Sequence, residues 1–408
     1  MGNRLMLMGF DTDDGRGERA IVATPGSFVK PLLTPRGDRV LYSTHPQLGD
    51  PSVFVVGFDG AEPRRLDRGI ALGVWEDPRD GAEWVYLGSE IRESGVGAVT
   101  RVHLDEPSRR ELVWNRGVVS FDTFQVSPDG SIAGGLFPWP AAGVADLKTG
   151  TWRQIGEGCW TALNDVGAPL FWYFDGAHRN LLLVDLNRDR RWTVPINRAP
   201  GFENPEVYHP RWARHPRFMV MSGPYDQGGA NQVRSGGKQA EIWLGRFRDD
   251  FTEIETWARV TNNAGGDSYP DVWIDRENSA HSQRASGRVG PAAGAGESKP
   301  LDRLVIDARL VTAGLVPTPE SIAPYRHALV VSTYEIVTVI AGDQSGSRIN
   351  VAQWAIRDAR VLDESRRAEG QVYRLTVERY DAHPELEGER LIQGKVPEGH
   401  LYYDVGPK

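Results

Sequence analysis

Along the first two-thirds of the chain, apolar positions fall in short runs, each ended by Pro, Asp and Gly. Short apolar runs between turn formers read as β-strands and hairpins rather than helices. Leu32-Leu33-Thr34-Pro35-Arg36-Gly37-Asp38-Arg39-Val40-Leu41 is one such phrase, and Phe124-Gln125-Val126-Ser127-Pro128-Asp129-Gly130-Ser131-Ile132-Ala133 is another. Looser versions run from Gly73 to Tyr86, from Cys159 to Tyr173 and from His209 to Met221. A sixth inner strand, residues 269–275, has no partner hairpin after it. The turns centre on Gly37, Gly81, Gly130, Val166, Pro216 and Arg276, so the repeat steps by 44, 49, 36, 50 and 60 residues. A period of roughly 40–50 residues is that of a four-stranded propeller blade, which cannot bury both faces alone and stacks radially.

Outer strands follow each inner hairpin, as in Asn180-Leu181-Leu182-Leu183-Val184 leading to Arg191-Trp192-Thr193-Val194. The lone sixth strand finds its outer strands at the N-terminus, residues 4–9 and 18–24, which closes the ring and removes its open edges. Residues 277–303 hold Ser, Ala, Gly, Arg and Pro with almost no large apolar side chain, and read as a flexible linker. Long β-branched runs then resume at 304–310, 328–340, 348–356 and 373–380. The expected fold class is all-β: a six-bladed β-propeller over residues 1–276 and a small β-barrel or β-sandwich domain over 304–408. A ring of five or seven blades, or a β-sandwich with irregular hairpins, is the competing arrangement.

The Ser127-Pro128-Asp129-Gly130 turn and its relative Thr34-Pro35-Arg36-Gly37 resemble the repeats of TolB-like six-bladed β-propellers, over roughly residues 4–276. That resemblance implies the fold. Known members of the family include periplasmic interaction proteins, and related propellers occur in peptidases and oligogalacturonate lyases, so it leaves the activity open.

Composition narrows the field. The 408 residues carry 47 Lys plus Arg against 55 Asp plus Glu, a formal net charge of −8, which argues against a general nucleic-acid binder. There is no apolar run long enough for a membrane-spanning helix. The one cysteine, Cys159, excludes an intrachain disulfide and a multi-thiolate zinc site, and reads as a small core residue. A cysteine-poor chain fits the periplasm or the extracellular space, with the cytosol as the alternative. No signal peptide is present in this sequence, and an export signal trimmed from upstream is the expectation. A monomer is expected.

Candidate chemistry gathers on the propeller face that carries the loops before each inner strand and between second and third strands. Those second-to-third loops are read as 10–19, 43–51, 88–98, 137–143, 174–180 and 222–240. They and the starts of the inner strands supply His45, His178, Arg179, Tyr208, His209, Arg211, Tyr225, Arg234 and Lys238, with Trp139 and Trp160 beside them. Arginine forks bind carboxylates and aromatic faces stack on sugar rings, so the set suits an acidic glycan. The competing reading makes the tryptophans blade-to-blade core and each histidine a hydrogen-bonded structural residue. Asp11, Asp13 and Asp14 are candidate ligands for calcium, although Gly15 at the fifth position breaks the EF-hand pattern. The histidines are candidate ligands for a transition metal such as manganese. No phosphate-binding loop follows from Gly236-Gly237-Lys238, and no Gly-x-Ser-x-Gly elbow exists. The acidic stretch 383–390 reads as a solvated turn, with a partner contact as the alternative.

Two functions fit. One is a binding or scaffold protein that recognises a glycan or protein partner on the loop-rich face. The other is a polysaccharide lyase acting on uronate, with His178, His209 and Tyr208 as candidate catalytic groups and Arg179, Arg211, Arg234, Lys238, Trp160, Tyr225 and His45 binding the chain.

Overall fold

The computed structural model describes residues 5–44, 50–122, 124–164, 166–225, 238–275, 303–343, 346–394 and 399–406. The fold is all-β: a β-propeller followed by a five-stranded β-barrel. Five sheets of four antiparallel strands form the blades, each in simple chain order. Blade one starts at Phe28–Leu33, blade two at Ile70–Glu76, blade three at Phe124–Val126, blade four at Cys159–Leu163 and blade five at Glu206–Trp212. A separate two-stranded sheet, Leu5–Gly9 with Arg19–Gly26, packs against blade one through Leu7 and Ile21. Five blades are complete among the described residues, and the two-stranded N-terminal sheet stands where the sixth is expected.

Local chemistry explains the hairpins. At the turn of blade three, the Asp129 carboxylate accepts the Ser127 hydroxyl (2.6 Å) and the Ser131 amide (3.1 Å), while Gly130 takes φ 75°. Blade one repeats the device, with Thr34 Oγ1 donating to Asp38 (2.7 Å) and Gly37 at φ 76°. Only glycine adopts that backbone without cost. The Cβ missing from Gly130 leaves room for Trp75 of the preceding blade, whose indole N–H donates to the Ser127 carbonyl (3.0 Å). Between blades four and five the core is rich in aromatic rings, as where Trp172 and Trp212 meet at 4.3 Å, whereas between blades one and two it is aliphatic.

Residues 269–275 lie between blades five and one without joining a sheet. Asp271 accepts the Leu33 amide (2.8 Å) from one side and faces Arg211 (3.9 Å) on the other. The linker expected over 277–303 falls outside the described residues except for Arg303, which pairs with Glu378.

The barrel closes through Leu304–Thr312, Ala328–Ala341, Arg348–Arg357, Leu401–Asp404 and Val372–Arg379, so the sandwich alternative is set aside. Leu304, Ile306, Ala308 and Leu310 alternate into its interior. A short strand, Arg390–Ile392, adds in parallel to Ala328–Val330 and carries the barrel onto the propeller. There the Gly176 amide donates to the Glu387 carbonyl and the Leu391 amide to the Gly176 carbonyl, both at 2.9 Å. A side chain at Gly176 would strike the Glu389 carbonyl, so only glycine admits this approach. The stretch expected as a solvated turn is thus largely an interdomain seam. Its composition is acidic because Glu387 receives the Tyr173 hydroxyl (2.8 Å) and Glu389 faces His327.

Candidate functional site

A recurring kink aims side chains at the propeller axis. Lys30, Trp160 and His209, each in the first strand of its blade, have positive φ (40°, 37° and 56°), and Tyr269 matches them at 55°. In each of the three first strands the ladder slips at that residue. Such a bulge re-aims one side chain and ends the local pairing. The result is a stack in which Trp160 meets His209 edge-on (5.1 Å) and His209 lies against Tyr269 (3.9 Å). Lys30 is fully enclosed and donates to the carbonyls of Phe121 and Asp122. Burial lowers its pKa to about 7, with Asp122 opposing that shift.

Below the stack the axis narrows to a cavity of about 20 Å³ lined by Leu32, Leu72, Gln125, Arg211, Arg214 and Asp271. That is room for a water or two and not for a sugar ring. Arg211 is buried and donates to the Pro31 carbonyl (2.9 Å). It therefore lies in the wall rather than on an open face.

Above the stack, the sequence-predicted residues do converge, but under the barrel. His178 is 0% exposed. Its Nδ1 lies 2.8 Å from the Tyr208 hydroxyl and its Nε2 3.0 Å from the hydroxyl of Tyr325, a barrel-side residue. Tyr208 donates to Glu206 (2.8 Å), and Glu206 pairs with Arg390 of the short barrel strand. A phenol that gives its proton to a carboxylate must accept from its other neighbour. His178 therefore carries its proton on Nδ1 and accepts the Tyr325 hydroxyl at Nε2. Burial, then Arg390, pushes the His178 pKa down to about 4, so the ring is neutral near pH 7. Burial opposes ionisation of Glu206, but Arg390 and then His178 outweigh it and hold the carboxyl at about 2. Burial raises Tyr208 and Tyr325 well above the ordinary phenol range.

The remaining predicted residues separate. Arg179 is buried and donates to the Gln393 carbonyl (2.8 Å), another tie to the barrel side. Trp160 and Tyr225 are buried too, Tyr225 within 3.0 Å of Ser222, which also holds His209 (3.0 Å). Trp139, half-buried, packs edge-on against Tyr325 (5.2 Å). Cys159 lies 3.5 Å from the Tyr325 hydroxyl, and burial raises its thiol pKa. Lys238 is exposed, and His45 and Arg234 lie outside the described residues.

Asp11, Asp13 and Asp14 spend their carboxylates on their own turn. Asp11 accepts the Asp13 amide (2.9 Å), and Asp14 accepts the Arg16 amide (2.9 Å) and pairs with Arg19 (2.8 Å). Among the described residues no group of three or more His, Cys, Asp or Glu side chains is gathered to hold a metal ion. Loop 10–18 is also on a different rim than expected. Arg19–Gly26 runs into blade one through Ser27 alone, as Arg64–Arg68 runs into blade two through Gly69, so the loop joins third and fourth strands. The residues that sequence reasoning passed over are Lys30, Glu206, Tyr325 and Arg390. For Lys30 a signal existed, since Lys30-Pro31, His209-Pro210 and Tyr269-Pro270 share the same kink.

No known family profile matches this chain, and no curated protein does. Solved structures similar to it include TolB from Acinetobacter baumannii, at 12% identity and TM-score 0.45, covering 65% of this chain and 62% of that one. A nidogen/laminin complex is similar at 10% identity and TM-score 0.41, covering 62% and 89%. An oligogalacturonate lyase in complex with manganese is similar at 14% identity and TM-score 0.37, covering 64% and 74%. The chain thus spans less than two-thirds of the TolB chain it matches.

Proposed function

We propose that this protein is a non-catalytic scaffold of the periplasm or extracellular space, whose propeller holds its own barrel across the channel mouth and offers its remaining surface to a protein partner. One observation carries the reading: both ring nitrogens of His178, the best-placed base, are already bonded to Tyr208 and Tyr325. A general base must reach the proton it removes, and this one faces two phenols in a dry seam. The supporting facts are the axial cavity of about 20 Å³ and the engagement of Arg179 and Arg211 with backbone carbonyls. Buried hydrogen-bonded networks of this kind rigidify a structure and specify one arrangement.

The test is an ultraviolet assay for unsaturated uronate on a panel of acidic polysaccharides, run with chelator and with added calcium or manganese. A flat trace is expected throughout. A rise that disappears in His209→Ala would restore the lyase reading, and saturable retention of one glycan would replace the protein partner with a sugar.

A further inference from the structure

The joint between propeller and barrel is built unlike the interior of either domain. Each domain closes an apolar core of its own: Trp172, Trp212 and Phe247 pack within the propeller, and Leu304, Ile306, Tyr334 and Val351 within the barrel. The propeller enters the barrel-side apolar clusters at two places. Trp139 packs with Ile322 and Tyr325, and Ala177 with Leu329 and Leu391. Polar groups hold the rest of the joint. The Gly176 backbone pairs with Glu387 and Leu391, and Arg179 donates to the Gln393 carbonyl. Tyr173 donates to Glu387, and Arg390 donates to the Gly176 carbonyl (3.2 Å) as well as to Glu206. A joint with so little apolar contact, between domains that each keep a full core, is the place where such a chain opens first.

Two of the groups that hold it change charge in acid. His178 is faced by Glu206 and Tyr208 of blade five, by Tyr325 of the barrel side and by Arg390 of the short strand. Its own loop adds Arg179 and Asp175, whose carboxylate accepts the Arg179 and Asn180 amides. Cys159 of blade four lies beyond the Tyr325 hydroxyl. Among the described residues none of these belongs to a metal-holding group. A proton on His178 places a further cation beside Arg390 and Arg179, while the nearby Glu206 already serves Arg390 and Tyr208. A proton on Glu206 strands Arg390 without its anion. With the barrel gone, water solvates all of these groups. The open form therefore binds the protons more tightly than the closed form.

We propose that the barrel is an acid-released cover: as the pH falls, the joint opens at His178 and Glu206 while both domains stay folded, baring the propeller mouth with Trp160, Tyr208 and Arg179. This goes beyond the scaffold reading and holds whichever partner the protein takes. The His178 pKa of about 4 when closed, against 6.5 in water, sets the range. Closure is complete above pH 6.5 and weakens as the pH drops toward 4.

Cys159 reports the opening, being the one thiol of the chain and buried against Tyr325. The full chain is labelled with dithiodipyridine at pH 7.5 and at pH 4.5, and each rate is divided by that of glutathione at the same pH. Far-ultraviolet circular dichroism is followed alongside. The normalised rate should rise on the order of fiftyfold at pH 4.5, with the strand signal intact. Glu206→Gln should label faster than the parent already at pH 7.5, and His178→Phe should lose most of the acid rise. Equal normalised rates at the two pH values would overturn the proposal. A rise that comes with loss of the strand signal would overturn it too, since the whole chain would then be unfolding. Lyase activity in the uronate assay would sink the scaffold reading and leave this result standing.

Discussion

Two parts of the propeller ring meet their surroundings in opposite ways. Over blades four and five, polar and ionisable groups are buried because the barrel brings them partners: Tyr325 for His178, Arg390 for Glu206 and the Gln393 carbonyl for Arg179. Between blades five and one, by contrast, the apolar side chains of Leu5, Met6, Met8 and Trp273 are exposed. Residue chemistry alone misleads at both places. Histidine, tyrosine and arginine on propeller loops suggest a wet site, yet here they form a dry joint. Leucine and methionine in a strand suggest core, yet here Leu5, Met6 and Met8 are exposed and only Leu7 packs inward.

The covered side should break most severely at Arg390. Arg390→Ala leaves the Glu206 carboxylate buried without its cation, and losing one partner of a buried pair costs about 3–5 kcal/mol. Urea unfolding of the full chain measures this, and a loss below about 1 kcal/mol would mean that Glu206 finds water. Acid comes next. The His178 pKa is about 4 folded against 6.5 unfolded, so the unfolded chain binds more protons between those values. Stability is then full above pH 6.5 and falls by about 3 kcal/mol as the pH drops to 4. Glu206, depressed to about 2, extends the loss below pH 4.5. Denaturation midpoints at pH 7, 5.5 and 4 test the sign, and His178→Phe should flatten the upper part of the curve. Smaller still is Tyr325→Phe, which strips Nε2 of its donor and costs about 1–3 kcal/mol. An unchanged midpoint there would mean that water or a neighbouring group takes the place of the Tyr325 hydroxyl at Nε2.

How much of this was legible beforehand follows from distance along the chain. The hairpins of blades one and three were readable because a Ser or Thr hydroxyl, an Asp and a Gly make the turn within five residues, as at 127–131. Residues 269–275 were expected as a sixth inner strand, and they share the inner-strand kink at Tyr269 but join no sheet among the described residues. The convergence of His178, Tyr208, Trp160 and His209 also followed from the repeat. Their burial did not. His178 and Tyr325 are 147 residues apart and Glu206 and Arg390 are 184 apart, and no periodicity joins them. Loop 10–18 lies on the opposite rim from that expected because the one-residue passage at Ser27 makes Arg19–Gly26 a fourth strand, a step no local sequence signal marks.

The finest comparison sets the region between blades five and one against the closed interface of blades two and three, through two glycines that do the same job. Gly37 and Gly130 both hold positive φ at an inner turn, and both leave space for an indole from the blade before. A Cβ on Gly130 would stand 2.9 Å from Trp75, and one on Gly37 would stand 2.6 Å from Trp273. Distance alone predicts the larger penalty at Gly37. Surroundings reverse the order. Trp75 is 6% exposed and is wedged in the core of blades two and three, so it has nowhere to move. Trp273 is 40% exposed and can swing outward. Both alanine variants bear the left-handed backbone cost of about 1 kcal/mol, while only Gly130→Ala adds overpacking of about 1–3 kcal/mol. Gly130→Ala should therefore be less stable than Gly37→Ala by about 1 kcal/mol or more, read as the gap between their urea midpoints. Equal midpoints would show Trp273 to be held as firmly as Trp75.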